Sequence, residues 1–293
     1  MSLKSHLDVA ALAALCQEIQ MPEQVSRQVA EAAAQYPFDK VECWYNGLFS
    51  AETGADSSDA IRQALLPDDP DGILLLTVML AAALETGERC QEKGISHNIW
   101  VDTMKCFSRF VGEHLESFGR YGFDRSFWTW RQLSGLLYRI GSLEYEMRTL
   151  SSSLEVQGEQ WPEGTPILSL HIPSDALLSR EALDASYQKA KNFFARFYPD
   201  FHYRGGWCHS WIISPLLDPL LGETSRIRTF QKDFLILEVE PESNAYKSWI
   251  FKDESLPLAQ LPEDTSLQRR AKAHLLEGGK IGAAMGVLRP GLL

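Results

Sequence analysis

Residues 193–215 read FFARFYPDFHYRGGWCHSWIISP, a window that concentrates aromatic side chains, two histidines, a cysteine and paired glycines. The pattern predicts the end of a helix, a turn punctuated by proline and glycine, and then a strand over 206–213. Side chains of an extended strand alternate between its two faces. One face is therefore expected to carry Trp207, His209 and Trp211, and the other Cys208, Ser210 and Ile212.

His209 is the most informative side chain of this strand. Because His209 and Ser210 point to opposite faces, their adjacency in the sequence does not indicate a catalytic dyad. A histidine between two tryptophans on one face is either a core residue with one satisfied hydrogen bond or a functional group. The sequence leaves both interpretations open.

The segments around this stretch predict a mixed α/β region. Alternating apolar and polar residues indicate a strand over 143–148, with Glu144 and Glu146 on one face, which we expect to be solvated. If that face instead lines a cleft, either glutamate could deprotonate an amine, directly or through water. A second strand covers 167–172, and Ser179 is expected to cap a helix that runs to Tyr198. Residues 227–240 predict a long strand, and the glycine-rich tail 278–293 contains neither a phosphate-binding loop nor a dinucleotide fingerprint.

The N-terminal half differs from this region, since nearly all of it shows helical spacing. Residues 73–84 form the longest apolar run, which is too short to span a bilayer and suits a buried helix. The polar run 68–71 is expected to cap that helix, and a long helix with an apolar stripe follows from about Ser96 to Phe118. We predict an α+β protein with an all-helical domain over 1–130 and an α/β domain with a mixed sheet over 131–293.

Composition restricts the class of protein. The 293 residues carry a net charge of −11, which argues against a nucleic-acid-binding surface. The 5 cysteines include no CxxC pair, so neither a disulfide framework nor a zinc site is expected, and we predict no metal. These features predict a soluble, cytoplasmic protein without a membrane segment. The oligomeric state is not indicated.

Two features of the C-terminal region suggest a ligand site, a loop before a helix and a histidine at the end of a strand. The loop 174–180 leads into a helix whose free N–H groups suit a phosphate, with Arg180 as an additional charge. An ordinary connection between a strand and a helix would have the same sequence pattern. His171 ends its strand at a place where ligands collect in open α/β sheets, and it suits a general base. His171 and His209 would form a two-histidine site if their strands were neighbours.

Four segments together resemble a known family: RIGSLEYE (139–146), LHIP (170–173), CHSWIISP (208–215) and IRTFQKDF (227–234). They are similar to a bacterial family of acyltransferases with a helical N-terminal domain and a GNAT-like C-terminal domain. The resemblance implies transfer of an acyl group from acyl-CoA to an amine, with the CoA pyrophosphate held by the loop before the helix. The loop residues concerned are Ser174, Asp175, Ala176, Leu177, Leu178, Ser179 and Arg180. This loop has no glycine, unlike the usual signature of the superfamily.

The hypothesis assigns the roles as follows. His171 or Glu144 acts as general base, and His209 or Ser210 donates a proton to the leaving thiolate. The alternative is a non-catalytic acyltransferase-like protein that binds a ligand or a protein partner, which the glycine-free loop favours. A hydrolase using Cys208 or Ser210 is less favoured, because neither lies in a glycine-flanked nucleophile elbow.

Overall fold

The computed structural model describes residues 2–252 and 255–293. The chain divides into two compact units, Met1–Arg139 and Ile140–Leu293. Within the described residues, no helix combines the length and apolar content needed to cross a bilayer.

Up to Leu133, the first unit consists of helices joined by short turns. They are α1 (Leu3–His6), α2 (Val9–Glu18), α3 (Glu23–Gln35), α4 (Glu42–Tyr45), α5 (Gly54–Leu65), α6 (Ile73–Glu92), α7 (His97–Phe118) and α8 (Ser126–Leu133). The apolar run predicted as a buried helix forms α6, and residues 75–83 of that helix are all buried. Asp69 caps it as expected, because its carboxylate accepts the amide N–H groups of Leu74 and Leu75 at 2.9 and 2.8 Å.

The remainder of the chain alternates strands with helices. The strands are β1 (Leu137–Ile140), β2 (Leu143–Thr149), β3 (Leu154–Val156), β4 (Glu159–Trp161), β5 (Pro166–His171), β6 (Gly206–Ser210), β7 (Phe234–Glu240) and β8 (Ala283–Leu288). The helices are α9 (Arg180–Phe197), α10 (Arg226–Gln231), α11 (Tyr246–Ile250) and α12 (Ser266–Leu276), with 3₁₀ turns at Trp211–Ile213, Pro215–Leu220 and Leu258–Gln260. A helical first part followed by a mixed sheet confirms the α+β prediction.

The main sheet has the strand order β1-β2-β5-β6-β8-β7. β5 and β6 pair in parallel, whereas β2 with β5, β6 with β8, and β7 with β8 pair antiparallel. The parallel pair is joined through α9, as a parallel connection requires a crossover. β3 and β4 form a separate hairpin.

The two faces of the sheet are covered by different elements. On one face, the Tyr145 hydroxyl of β2 is hydrogen-bonded to Ser186 of α9 at 2.9 Å, and its ring contacts Phe194 edge-on. On the other face, Val156 and Trp161 of the β3–β4 hairpin pack in one cluster with residues of the main sheet. The hairpin therefore covers part of the face on which the polar side chains lie.

Three predictions about the strands were wrong or incomplete. The strand predicted over 206–213 ends at Ser210, whose hydroxyl accepts the Ile212 amide at 3.3 Å and caps a 3₁₀ turn. Residues 227–231 of the predicted long strand lie in α10 (Arg226–Gln231) instead. The tail contains β8, which lies between β6 and β7 in the sheet. Gly286 of β8 makes this insertion possible, since a Cβ there would lie 2.9 Å from the Leu235 carbonyl oxygen.

Candidate active site

The strand registers place several polar side chains on one face of the sheet. Between β2 and β5, Glu144 lies opposite His171 and Glu146 lies opposite Ser169. Between β5 and β6, Ser169 lies opposite Trp207. Directly paired residues share a face, and His209 follows Trp207 by two positions. The set is called the polar face below: Glu144, Glu146, Ser169, His171, Trp207 and His209.

His171 is held by Glu146. Its Nε2 lies 2.8 Å from Oε2 of Glu146, and the side chains are 19% and 6% exposed. An ionised carboxylate can only accept hydrogen bonds, so an ionised Glu146 would accept a hydrogen bond from Nε2 of His171. The arrangement has the form of a general base oriented by a buried carboxylate.

Glu144 and Glu146 are buried, so the expectation of a solvated face was wrong. The two residues are 2% and 4% exposed. The alternating pattern reports only that one face is polar, and tertiary packing decides whether that face meets water. Because burying a charged group is costly unless it is paired, carboxylates in this position indicate a built site rather than a solvated edge.

The sheet opens beside His171. The β5–β6 register contains the pairs Leu168–Gly206 and Ser169–Trp207, yet β5 continues to His171 and β6 to Ser210. Past the last pair, β5 keeps β2 as its neighbour and β6 keeps β8. We call this the β5–β6 wedge, formed by 170–171 and 208–210. An extended chain with amide groups can hydrogen-bond to strand edges that separate in this way.

His209 and Ser210 occupy different positions at the end of β6. His209 lies on the polar face, and its Nε2 is 3.2 Å from Oε1 of Glu240, the last residue of β7. Both side chains are about two-fifths exposed, at 41% and 42%. Ser210 alternates to the opposite face and caps the following turn. The structure thus brings His171, His209 and Glu144 onto one face and leaves Ser210 off it.

The predicted phosphate loop leads into α9 as expected. Ser179 caps the helix, because its hydroxyl accepts the Ala182 amide at 3.3 Å. Two other amides of the loop are already used: Ala176 donates to the Pro173 carbonyl at 2.9 Å, and Leu177 donates to the Ser142 hydroxyl at 3.0 Å. The Leu177 side chain is exposed.

Arg180 is held by two carboxylates. Its Nη1 donates to Asp233 and its Nη2 lies beside Asp184, each at 2.7 Å. Asp233 also accepts the Tyr187 hydroxyl at 2.9 Å. The hydrogen bond to Asp233 is the main cause of the raised pKa of Arg180. A phosphate at this guanidinium would therefore compete with Asp184, the more exposed of the two partners.

Cys208 has no role as a nucleophile in this arrangement. The residue is fully buried, and desolvation raises the pKa of its thiol to about 12. The reactive form of cysteine is the thiolate, which such a thiol does not populate near neutral pH. The hydrolase hypothesis in its cysteine form has no support here.

Three contacts of the site were not foreseen from the sequence. The sequence marked Glu146 as a possible base but not as the partner of His171, which depends on register. Glu240 reaches His209 across β8, whose strand was not predicted. Asp233 directly precedes β7, and nothing in the residues around it indicates its contact with Arg180, which lies 53 residues earlier in the chain. In the part of the chain that the structure describes, no group of three or more His, Cys, Asp or Glu residues is arranged to hold a metal.

Comparison with models of protein families shows the family to which this chain belongs. A model described as GNAT-like C-terminal domain matches residues 137–288, and one described as N-acyltransferase N-terminal domain matches residues 10–135. The chain belongs to this N-acyltransferase family. The resemblance predicted from the four segments is thereby confirmed, whereas a bacterial source stays a prediction. A search of curated proteins gave no match.

Solved structures share the family's architecture. One is an acyltransferase in complex with decanoyl-CoA and teicoplanin, with a TM-score of 0.77, 23% identity, and coverage of 94% of this chain and 86% of that chain. A mutant acyltransferase in complex with octanoyl-CoA gives the same values. An acyltransferase in complex with decanoyl-CoA has a TM-score of 0.74 and 21% identity, covering 95% of this chain and 87% of that chain. At this identity the likeness establishes the fold.

Proposed function

We propose that this protein transfers an acyl group from an acyl-CoA to an amine, with His171 as general base. The observation that carries the proposal is the 2.8 Å contact between His171 and the buried Glu146, located where β5 and β6 separate. A positioned base is typically worth about 10²–10⁴-fold in rate. Membership of the N-acyltransferase family supports the same reaction class.

The reaction balances as follows. The amine nitrogen attacks the thioester carbon and forms the N–C bond, while the carbonyl electron pair moves onto oxygen. The imidazole of His171 takes the proton that the amine loses, and Glu146 stabilises the resulting imidazolium. Collapse re-forms the carbonyl, breaks the C–S bond and releases the CoA thiolate, which takes up one proton. The position of His209 on the polar face supports it over Ser210 as the donor.

The donor is proposed to occupy the wedge and the start of α9. The pantetheine arm of CoA is an extended chain with two amides, which suits the diverging edges of β5 and β6. Its pyrophosphate suits the N–H groups at the start of α9, where the helix dipole favours an anion. Within the predicted loop, Ala176 and Leu177 already donate to protein oxygens. The binding amides are therefore expected at Ser179, Arg180 and Glu181.

The choice of acyl donors and acceptors to test follows from the solved relatives. Relatives of this fold were solved with octanoyl-CoA and decanoyl-CoA, so these thioesters are the first donors to test. One relative was solved with teicoplanin. We propose an amine acceptor for this chain and no particular compound, because no described contact identifies one.

The test combines donor binding with turnover. Octanoyl-CoA is titrated by calorimetry, and release of free CoA thiol is followed across a panel of primary amines. We expect His171→Ala to lower turnover by at least a hundredfold and to leave octanoyl-CoA affinity within a factor of two. His202→Ala is the matched control, since His202 is exposed in the loop before β6. Unchanged turnover in His171→Ala would remove the assignment of the base.

A second function has specific support: a non-catalytic protein of this fold that binds a ligand or a protein partner. The phosphate loop has no glycine, and Arg180 is already paired with Asp184 and Asp233. Both features disfavour a pyrophosphate at this place. Failure of octanoyl-CoA and decanoyl-CoA to bind at up to about millimolar concentration, an affinity near 4 kcal/mol, would select this alternative.

A further inference from the structure

The residue pair at the apex of the wedge carries two buried polar atoms that lack hydrogen-bond partners within the described residues. The Ser169 side chain is fully buried, and its Oγ has no partner within the described residues. Nε1 of Trp207 is likewise buried without a partner there. Buried polar groups are nearly always satisfied in native proteins, so two unsatisfied donors in one residue pair are an exception that requires an explanation. Both groups can donate a hydrogen bond, and the indole N–H can only donate.

The position of this pair is set by the strand registers. Ser169 and Trp207 form the last pair of the parallel β5–β6 ladder, so they mark the point from which the wedge opens. Ser169 is also the register partner of Glu146, which holds His171. Ser169 and Trp207 therefore lie on the same face as the proposed base. Ser169 precedes His171 by two residues along β5.

We infer that Ser169 and Trp207 donate hydrogen bonds to the thioester carbonyl oxygen of the bound acyl donor. The inference rests on the proposed function and adds two residues to it. When the amine attacks, this oxygen gains negative charge, and donors fixed in a dry site stabilise such a charge without reorganising. The oxygen returns to the neutral carbonyl when the C–S bond breaks, so neither residue gains or loses a proton.

The test measures how much the carbonyl oxygen contributes to binding of the acyl donor, and it needs no amine substrate. Calorimetry compares octanoyl-CoA with S-octyl-CoA, a thioether in which a methylene replaces the carbonyl. We expect the wild-type protein to bind the thioester roughly tenfold more tightly than the thioether, as two hydrogen bonds allow. Ser169→Ala and Trp207→Phe should each reduce this ratio about threefold and leave the thioether affinity unchanged.

A matched control uses a third orphaned donor of the same unit. Nε1 of Trp161 is also buried without a partner in the described residues, but Trp161 belongs to the β3–β4 hairpin. Trp161→Phe removes the same N–H group and should leave the ratio at its wild-type value. The thioester C=O stretch, followed by isotope-edited infrared difference spectroscopy, should fall on binding to wild type and fall less in Ser169→Ala.

The outcomes separate this inference from the function on which it rests. If both ligands bind and the ratio is near one, or is the same in all variants, the orphaned atoms hold only water and the inference is overturned. If neither ligand binds, the proposed function fails and the inference falls with it. A folding defect is recognised separately, because loss of an unsatisfied buried hydroxyl should leave the Tm of Ser169→Ala at or above the wild-type value.

Discussion

His171 lies directly opposite Glu144 in the β2–β5 register, and its Nε2 lies 2.8 Å from Oε2 of the diagonal neighbour Glu146. Diagonal residues of an antiparallel pair are within reach of long side chains. The two carboxylates therefore have different relations to the same imidazole, although their positions in the strand pattern look equivalent. Their separate substitution distinguishes a positioning carboxylate from an alternative base.

Glu146→Gln should lower turnover about 10- to 100-fold with little change in octanoyl-CoA affinity. The amide keeps the size of the side chain but removes the charge that stabilises the imidazolium. Turnover and calorimetric affinity are measured on the same samples. Glu155→Gln serves as control, since Glu155 is an exposed residue of β3. If Glu144→Gln abolishes turnover while Glu146→Gln does not, Glu144 is the base.

Asp233 is expected to stabilise the C-terminal unit. Its nearly buried carboxylate accepts hydrogen bonds from Arg180 and Tyr187, so Asp233→Ala leaves two donors without their acceptor. We expect a loss of about 2 kcal/mol, which lowers the Tm by roughly 4–8 °C in a unit of this size. Asp184→Ala breaks only the exposed contact of Arg180 and should cost about 0.5 kcal/mol or less. Equal losses in the two variants, measured by thermal unfolding, would contradict this prediction.

The protein is expected to become less stable at alkaline pH because of Tyr187. Burial and the neighbouring Asp233 raise the pKa of this phenol above its ordinary value of 10.0. Above pH 10 the unfolded chain releases the proton and the folded chain retains it, so the unfolding free energy falls as pH rises. One such group contributes about 1.4 kcal/mol per pH unit.

The control for this prediction is Tyr187→Phe, which removes the titrating group and keeps the ring. Its unfolding free energy should decline less steeply between pH 10 and 11 than that of the wild-type protein, as measured by urea titration. Parallel pH profiles for the two proteins would show that Tyr187 does not ionise on unfolding.

Alkylation should distinguish the cysteines. Cys43 is exposed, whereas Cys208 is buried with a thiol pKa of about 12, so iodoacetamide at pH 8 should modify Cys43 and spare Cys208. Mass spectrometry of the folded protein locates the label. We expect turnover to survive the treatment, and Cys43→Ala controls for any effect of labelling at the surface. If Cys208 is labelled and the protein stays folded but loses turnover, Cys208 again becomes a candidate nucleophile.

The sequence predicted those features of the site that depend on near neighbours. The caps at Ser179 and Asp69 were foreseen because a short polar side chain reaches an amide only a few residues ahead. His171 was chosen because it ends a strand, and the structure places that strand next to the strand of His209, which the sequence could not establish. Arg180 was expected to face a phosphate, yet its nearest charges are two carboxylates.

The sequence by itself indicated the helical first part and the mixed second part, because these follow from periodicity and capping, and four short segments carried the resemblance to the family. The tertiary structure alone decided that β8 inserts between β6 and β7, that Glu144 and Glu146 are buried, and that Glu146 contacts His171. Strand register and burial are set by partners distant in the chain, and a period of two residues specifies a face without specifying what covers it.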